Sequence, residues 1–166
     1  MNEQQFSRSI MKKFNSLGYD CTRIESHTTG VGIPDLFIQG HGTDQWIELK
    51  CDMKQNINQD KFNVPWRPGQ QAWMMRYIMH HAKQKCGVTL MRVEGGIVVI
   101  AHVKVFKNNI IYTTPRDVND GECLNYCIIS DELYAKKSFN VVACIYNLCY
   151  QALTSNRFVW EAKGNE

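Results

Sequence analysis

Gly32-Ile-Pro-Asp-Leu-Phe-Ile38, the link Gln39-Gly-His-Gly-Thr-Asp44, and Gln45-Trp-Ile-Glu-Leu-Lys-Cys51 form the stretch from which the fold is read. Ile33–Ile38 and Gln45–Cys51 are rich in aliphatic and aromatic residues, and the link between them is rich in glycine and polar turn residues. The two segments are therefore expected as the arms of a β-hairpin. Side chains alternate across a strand, so Glu48 and Lys50 share one face while Ile47, Leu49 and Cys51 point the other way, into a core. If the strands pair, Asp35 lies beside Glu48, and two carboxylates and an ammonium meet at one spot.

Two adjacent carboxylates repel, and a hard divalent cation relieves the repulsion by taking oxygen ligands from both. Mg²⁺, with Mn²⁺ as substitute, is the expected cation, held by Asp35, Glu48 and the backbone carbonyl of Leu49, with positions left for water and a phosphate oxygen. A cation so held polarises a phosphoryl oxygen and acidifies a bound water. Lys50 is placed to orient that water or to offset charge growing on phosphorus. The chemistry implied is metal-assisted phosphodiester cleavage.

Pro34-Asp35 followed by Glu48-Leu49-Lys50 resembles the PD-(D/E)XK nuclease superfamily. Gly32-Ile-Pro-Asp-Leu36, Ile47-Glu-Leu-Lys50 and Arg67-Pro-Gly-Gln-Gln-Ala-Trp73 are similar to the three blocks of its VRR-NUC branch, which includes small phage and bacterial Holliday-junction resolvases. The resemblance spans about residues 1–105. It implies a restriction-endonuclease-like α/β (α+β) fold, a mixed four-stranded sheet flanked by helices in the order αβββαβ. It also implies Asp35 and Glu48 as metal ligands, Lys50 as the catalytic lysine and Gln70 as a further catalytic-site residue. Glu3 corresponds to an additional acidic metal ligand that many members place on the first helix.

Working outward, Phe6, Ile10, Phe14 and Leu17 recur at three- and four-residue steps before Gly18, which predicts an amphipathic helix over Glu3–Leu17. Tyr19–Glu25 reads as a short strand and Asp52–Val64, polar and rich in Asn and Gln, as a surface loop. Pro68 opens a second helix whose Gln70–Lys85 run carries Trp73, Met74, Tyr77, Ile78 and His81 on one stripe, with Gly87 closing it. Trp73 is expected in the core. Val88–Val93 and Gly96–Val105 read as strands, Ile110–Thr113 as further extended chain and Ser138–Leu153 as a final helix. The resemblance implies residues 1–105 as the nuclease-like core, and residues 106–166 are expected as an extension of the same domain that ends in a helix.

The chain has 166 residues, 44% apolar and 21% charged, which fits one globular domain and excludes disordered or collagen-like classes. No apolar run approaches the roughly 20 residues that span a bilayer, and the N-terminus lacks a basic stretch followed by an apolar core. The expected compartment is the cytoplasm, that of a host cell if the gene is a phage's. Seven cysteines, odd in number and scattered, suggest reduced thiols rather than a disulfide framework. Cys123 and Cys127 lack the partners a zinc site needs.

The net charge is +3, with 11 Lys and Arg against 8 Asp and Glu in residues 1–90 and 8 of each in residues 91–166. If three N-terminal acids face a metal, the remainder of that half is a basic surface suited to a phosphate backbone. Lys54, Lys61, Arg67 and Arg76 are the candidate DNA contacts, with Trp66 to stack on an unpaired base and His27 to touch a phosphate. The function expected is a Mg²⁺-dependent endonuclease acting on branched or distorted DNA, as a homodimer if both strands are cut symmetrically. The alternative is a catalytically silent nuclease-like scaffold that binds DNA, or a host or phage protein as an inhibitor or accessory subunit.

Overall fold

In the computed structural model, which describes residues 1–24, 32–81, 84–103, 111–113 and 126–154, helix α1 (Glu3–Ser16) opens with a capping box. The Asn2 side chain accepts from the Gln5 amide while the Gln5 side chain accepts from the Asn2 amide. Phe6, Ile10 and Phe14 are the buried stripe that the spacing predicts. Strands β1 (Asp20–Arg23), β2 (Leu36–Gly40) and β3 (Thr43–Asn56) follow as an antiparallel meander in which Leu36 faces Ile47 and Phe37 faces Trp46. The hairpin read from the sequence is present, although β2 begins at Leu36 rather than at Ile33.

Strand β4 (Lys61–Asn63) and helix α2 (Gln70–His80) lead to β5 (Gly87–Glu94), which runs parallel to β3 with Glu48 opposite Thr89. A parallel neighbour requires such a crossover, because a tight turn only reverses the chain. β6 (Gly96–His102) and β8 (Tyr126–Ser130) extend the sheet antiparallel, giving the order β1-β2-β3-β5-β6-β8. β7 (Ile111–Thr113) pairs with β4 as a second, two-stranded sheet. Helices α3 (Asp131–Ala135) and α4 (Val141–Thr154) close the described chain. The fold is a mixed α/β one, with the expected αβββαβ order at its core and, among the described residues, six strands in the main sheet rather than four.

Two apolar clusters flank the sheet. On one face α1 and α4 cover Leu36, Ile38, Ile47, Leu49, Val88, Leu90, Ile97 and Val99. On the other, Phe62, Val64 and Met74 meet Met91, Val93, Val98 and Ile100. This second cluster corrects the reading of Asp52–Val64 as a surface loop. β3 continues to Asn56, and Phe62 and Val64 are buried two positions apart, a strand alternation hidden among polar neighbours.

Helix α2 ends at His80, short of Lys85, and Gly87 begins a strand rather than closing the helix. A Cβ at Gly87 would lie 2.0 Å from the Met74 sulfur, so close packing of helix on strand is what selects glycine there. β8 and α3 were not anticipated. Among the described residues no helix is long and apolar enough to cross a membrane.

Candidate active site

The alternation along β3 buries Ile47 and Leu49 under α1 and α4, and turns Glu48 and Lys50 to the opposite face, where both are equally buried. Their ion pair, 3.1 Å long, is inside the protein. Continuing the β2–β3 register one residue beyond Leu36–Ile47 sets Asp35 opposite Glu48. The Leu49 amide donates to the Asp35 carboxylate at 2.8 Å, which pins that side chain at the strand end. Asp35 is half-exposed, so it is the solvent-facing member of the group.

Gln70, the first residue of α2, joins the two halves of the buried pair. Its amide nitrogen donates to Glu48 Oε1 at 2.5 Å, and its oxygen accepts from Lys50 Nζ at 2.7 Å and from the Arg67 backbone amide at 2.8 Å. Helix α2 therefore meets the sheet at the charged residues. The junction is sterically fixed: Gly32 has a φ of +93°, and a Cβ on it would lie 2.2 Å from the Gly69 carbonyl oxygen. Only glycine permits that approach of the Pro34-Asp35 turn to the start of α2.

The electrostatics follow from burial. The Glu48 carboxyl is pushed up to about 8, first by desolvation and then by the negative charge of Asp35, with Glu3 adding a smaller push; the Lys50 ammonium opposes this without cancelling it. A second buried polar pair shares this face, Thr89 Oγ1 and His102 Nε2 at 2.7 Å. Burial drops the His102 imidazole to about 3, so it is neutral at ordinary pH. Sequence reading missed this pair because its members come from different strands and meet only through the β5–β6 register.

The remaining candidates are distributed unevenly. Glu3 acts on Glu48 through space but faces Arg67, 3.7 Å away, and it does not complete an acidic triad: among the described residues no three His, Cys, Asp or Glu side chains converge as a metal cluster. Leu49 enters the site through its amide. Lys54 on β3, Lys61 on β4 and Arg67 before α2 are exposed on the elements flanking the site.

Trp66 is turned inward, packed on the second core and tilted against His102 with centroids 5.3 Å apart, which leaves its ring committed to packing. Arg76 is exposed on α2, six residues beyond Gln70 and so on a different side of the helix. Trp73, expected in the core, is only half-buried. His27 and Cys123 lie outside the described residues. Cys127 sits 3.3 Å from Cys144, and the described cysteines are free thiols.

No protein-family model matches the chain, and no curated protein matches its sequence. Among solved structures, it is similar to Hjc, a Holliday junction resolvase from the archaeal hyperthermophile Archaeoglobus fulgidus. The identity is 10% and the TM-score 0.47, over 66% of this chain and 87% of that one.

Proposed function

We propose that the protein is a metal-dependent DNA endonuclease that hydrolyses phosphodiester bonds at Asp35, Glu48, Lys50 and Gln70. The observation that carries this reading is the meeting of Asp35 and Glu48 from neighbouring strands on one sheet face, with Lys50 3.1 Å from Glu48. The donor set suits Mg²⁺ or Mn²⁺. It is made of oxygens, and the upward push on Glu48 from Asp35 is a repulsion that a divalent cation would relieve.

Asp35, Glu48 and the Leu49 carbonyl would hold the cation, which when bound supplies polarisation of a phosphoryl oxygen and a more acidic water. Lys50 is held in place by Glu48 and Gln70, where it would offset negative charge that grows on the phosphate oxygens. Gln70 holds Glu48 and Lys50 at a fixed separation, so their geometry need not be rebuilt for each substrate. Lys54, Lys61 and Arg67 would follow the backbone on either side. The sequence resemblance favours branched or distorted DNA, and symmetric cutting of two strands would require a homodimer.

The deciding experiment is cleavage of a panel of four-way junctions, flaps, single strands and linear duplexes, with Mg²⁺ or Mn²⁺ against EDTA. The wild type should nick with either ion, most readily on the junction or flap, and not in EDTA. Asp35→Ala, Glu48→Ala and Lys50→Ala should bind the same DNA without cutting it; equal cutting by all three removes the assignment. One observation favours a second reading, a silent scaffold that only binds: Glu48 and Lys50 are almost fully enclosed and already satisfy each other through Gln70. Its signature is tight, salt-sensitive DNA binding with no cutting in any divalent ion.

A further inference from the structure

The sheet face that carries the carboxylates also carries an unbroken row of rings. Phe37 and Trp46 are cross-strand partners, two residues from Asp35 and Glu48 on their respective strands and on the same face. The row therefore begins about 7 Å from the carboxylates, two strand residues away. Centroid separations run 4.8 Å from Phe37 to Trp46, 5.6 Å from Trp46 to Trp73, 5.3 Å from Trp73 to Tyr77 and 4.6 Å from Tyr77 to His81. Trp73 and Tyr77 are nearly parallel, at 13°. On α2 and its cap, Gln70, Trp73, Tyr77 and His81 fall at steps of three and four, one stripe of the helix. The residue that clamps Glu48 to Lys50 and the rings that lead away from them lie on one line.

Core packing does not account for this row. Met74 is the buried residue of α2, whereas Phe37, Trp46, Trp73 and Tyr77 are half-exposed and His81 is exposed. At the outer end Trp73, Arg76, Tyr77, His80 and His81 line an open cavity of about 230 Å³. Asp44, the acid that acts on Tyr77, is already paired with Lys85 at 2.8 Å. The outer end thus combines flat aromatic surface with two imidazoles and a guanidinium that meets no acid among the described residues. That is the complement of bases joined by phosphates, whereas a second copy docked there would have to bring an acid to Arg76.

We propose that this row is a track for an unpaired stretch of DNA, with bases stacking on Trp46, Trp73 and Tyr77 and phosphates meeting Arg76, His80 and His81. The proposal rests on the nuclease reading for one point only, that the tracked strand is the one presented to Asp35 and Glu48. It gives the site a preference for substrates with a single-stranded segment next to the scissile phosphate.

The test is fluorescence anisotropy with 5′-fluorescein-labelled dT12 and with a 12-base-pair duplex, in EDTA, so that no cutting is needed. Trp73→Ala should bind dT12 roughly fivefold to a hundredfold more weakly, the usual loss for one stacking ring, while duplex affinity changes far less. Trp73→Phe should restore most of the loss. Arg76→Glu, at an exposed position that spares the fold, should weaken dT12 binding and reduce its dependence on salt.

Unchanged dT12 affinity in Trp73→Ala and Arg76→Glu overturns the track, as does an equal loss for dT12 and duplex. A wild-type dimer that dissociates on Trp73→Ala with dT12 affinity intact overturns it too, and assigns the face to self-association. Asp35→Asn should bind dT12 like the wild type while cutting nothing. Failure of the wild type to cut with any metal, with dT12 binding lost in Trp73→Ala, removes the nuclease reading and leaves the track. Normal cutting with unchanged dT12 binding does the reverse.

Discussion

On one face of the sheet Ile47 and Leu49 of β3 pack with Leu36, Ile38, Val88 and Leu90 beneath α1 and α4, and all of them are hydrocarbon. On the other face Glu48 and Lys50 of the same strand are buried as deeply but carry charge, and a helix N-terminus is bent onto them through Gln70. The first face is what folding needs, since every residue there gains from leaving water. The second is what folding would avoid, because two desolvated charges seldom recover the cost of their burial. Under the proposed nuclease reading, stability accounts for one side of this strand and catalysis for the other.

The contrast predicts opposite responses to substitution. The largest effect falls on the charged face, on activity: Asp35→Asn keeps the Leu49 contact but removes the charge, and nicking in Mg²⁺ should fall by at least about a hundredfold, with thermal stability near that of the wild type. Next, Leu49→Ala should cost about 2–5 kcal/mol in denaturant unfolding, as expected of a leucine deleted from a filled core. The double replacement Glu48→Gln with Lys50→Met should leave stability unchanged or raise it by about 1–4 kcal/mol while abolishing cutting. If that double variant proved as unstable as Leu49→Ala, the charged pair would belong to the fold rather than to the task.

Gly32→Ala should cost about 1–3 kcal/mol, because the added methyl meets the Gly69 carbonyl at a backbone angle that disfavours side chains. It should also lower cutting by shifting Asp35 from Gln70, readable as a nicking rate measured well below the melting temperature. A further effect concerns pH. Glu48, raised from an ordinary 4.5 to about 8, holds a proton in the folded state that the unfolded chain releases between those values. Its contribution to stability is therefore fully present below about 4.5 and is lost as pH rises through 8. Denaturant unfolding in EDTA at pH 5.5 and 8.5 should show a decline in the wild type that is smaller in Glu48→Gln.

The same contrast explains what the sequence could reveal. Asp35, Glu48 and Lys50 were legible because strand alternation and a turn-rich link fix their faces before any tertiary contact is known. The helices α1 and α4 were legible from their apolar steps. Gln70 was placed by family resemblance alone, since nothing in its local sequence tells a solvated first-turn glutamine from one that bridges two buried charges. Thr89 and His102 were invisible because their meeting depends on register across a turn.

Trp66 and Trp73 depart from the sequence expectation in opposite senses. Trp66 was expected at the DNA and packs inward, whereas Trp73 was expected in the core and remains half-exposed, because the side of α2 and its leader that faces the sheet depends on how the Gly32–Gly69 contact seats the helix. β4 and β8 were hidden by brevity, three and five residues, and in β4 the one apolar residue, Phe62, sits between polar ones.

The central claim, that Asp35 and Glu48 together form a cation site, is tested most directly by titrating Mn²⁺ into the protein at pH 8 and following the free ion by electron paramagnetic resonance. The wild type should bind about one Mn²⁺ per chain competitively with Mg²⁺, and Asp35→Asn and Glu48→Gln should each lose that binding while remaining folded. Undiminished Mn²⁺ binding in both variants would contradict the account.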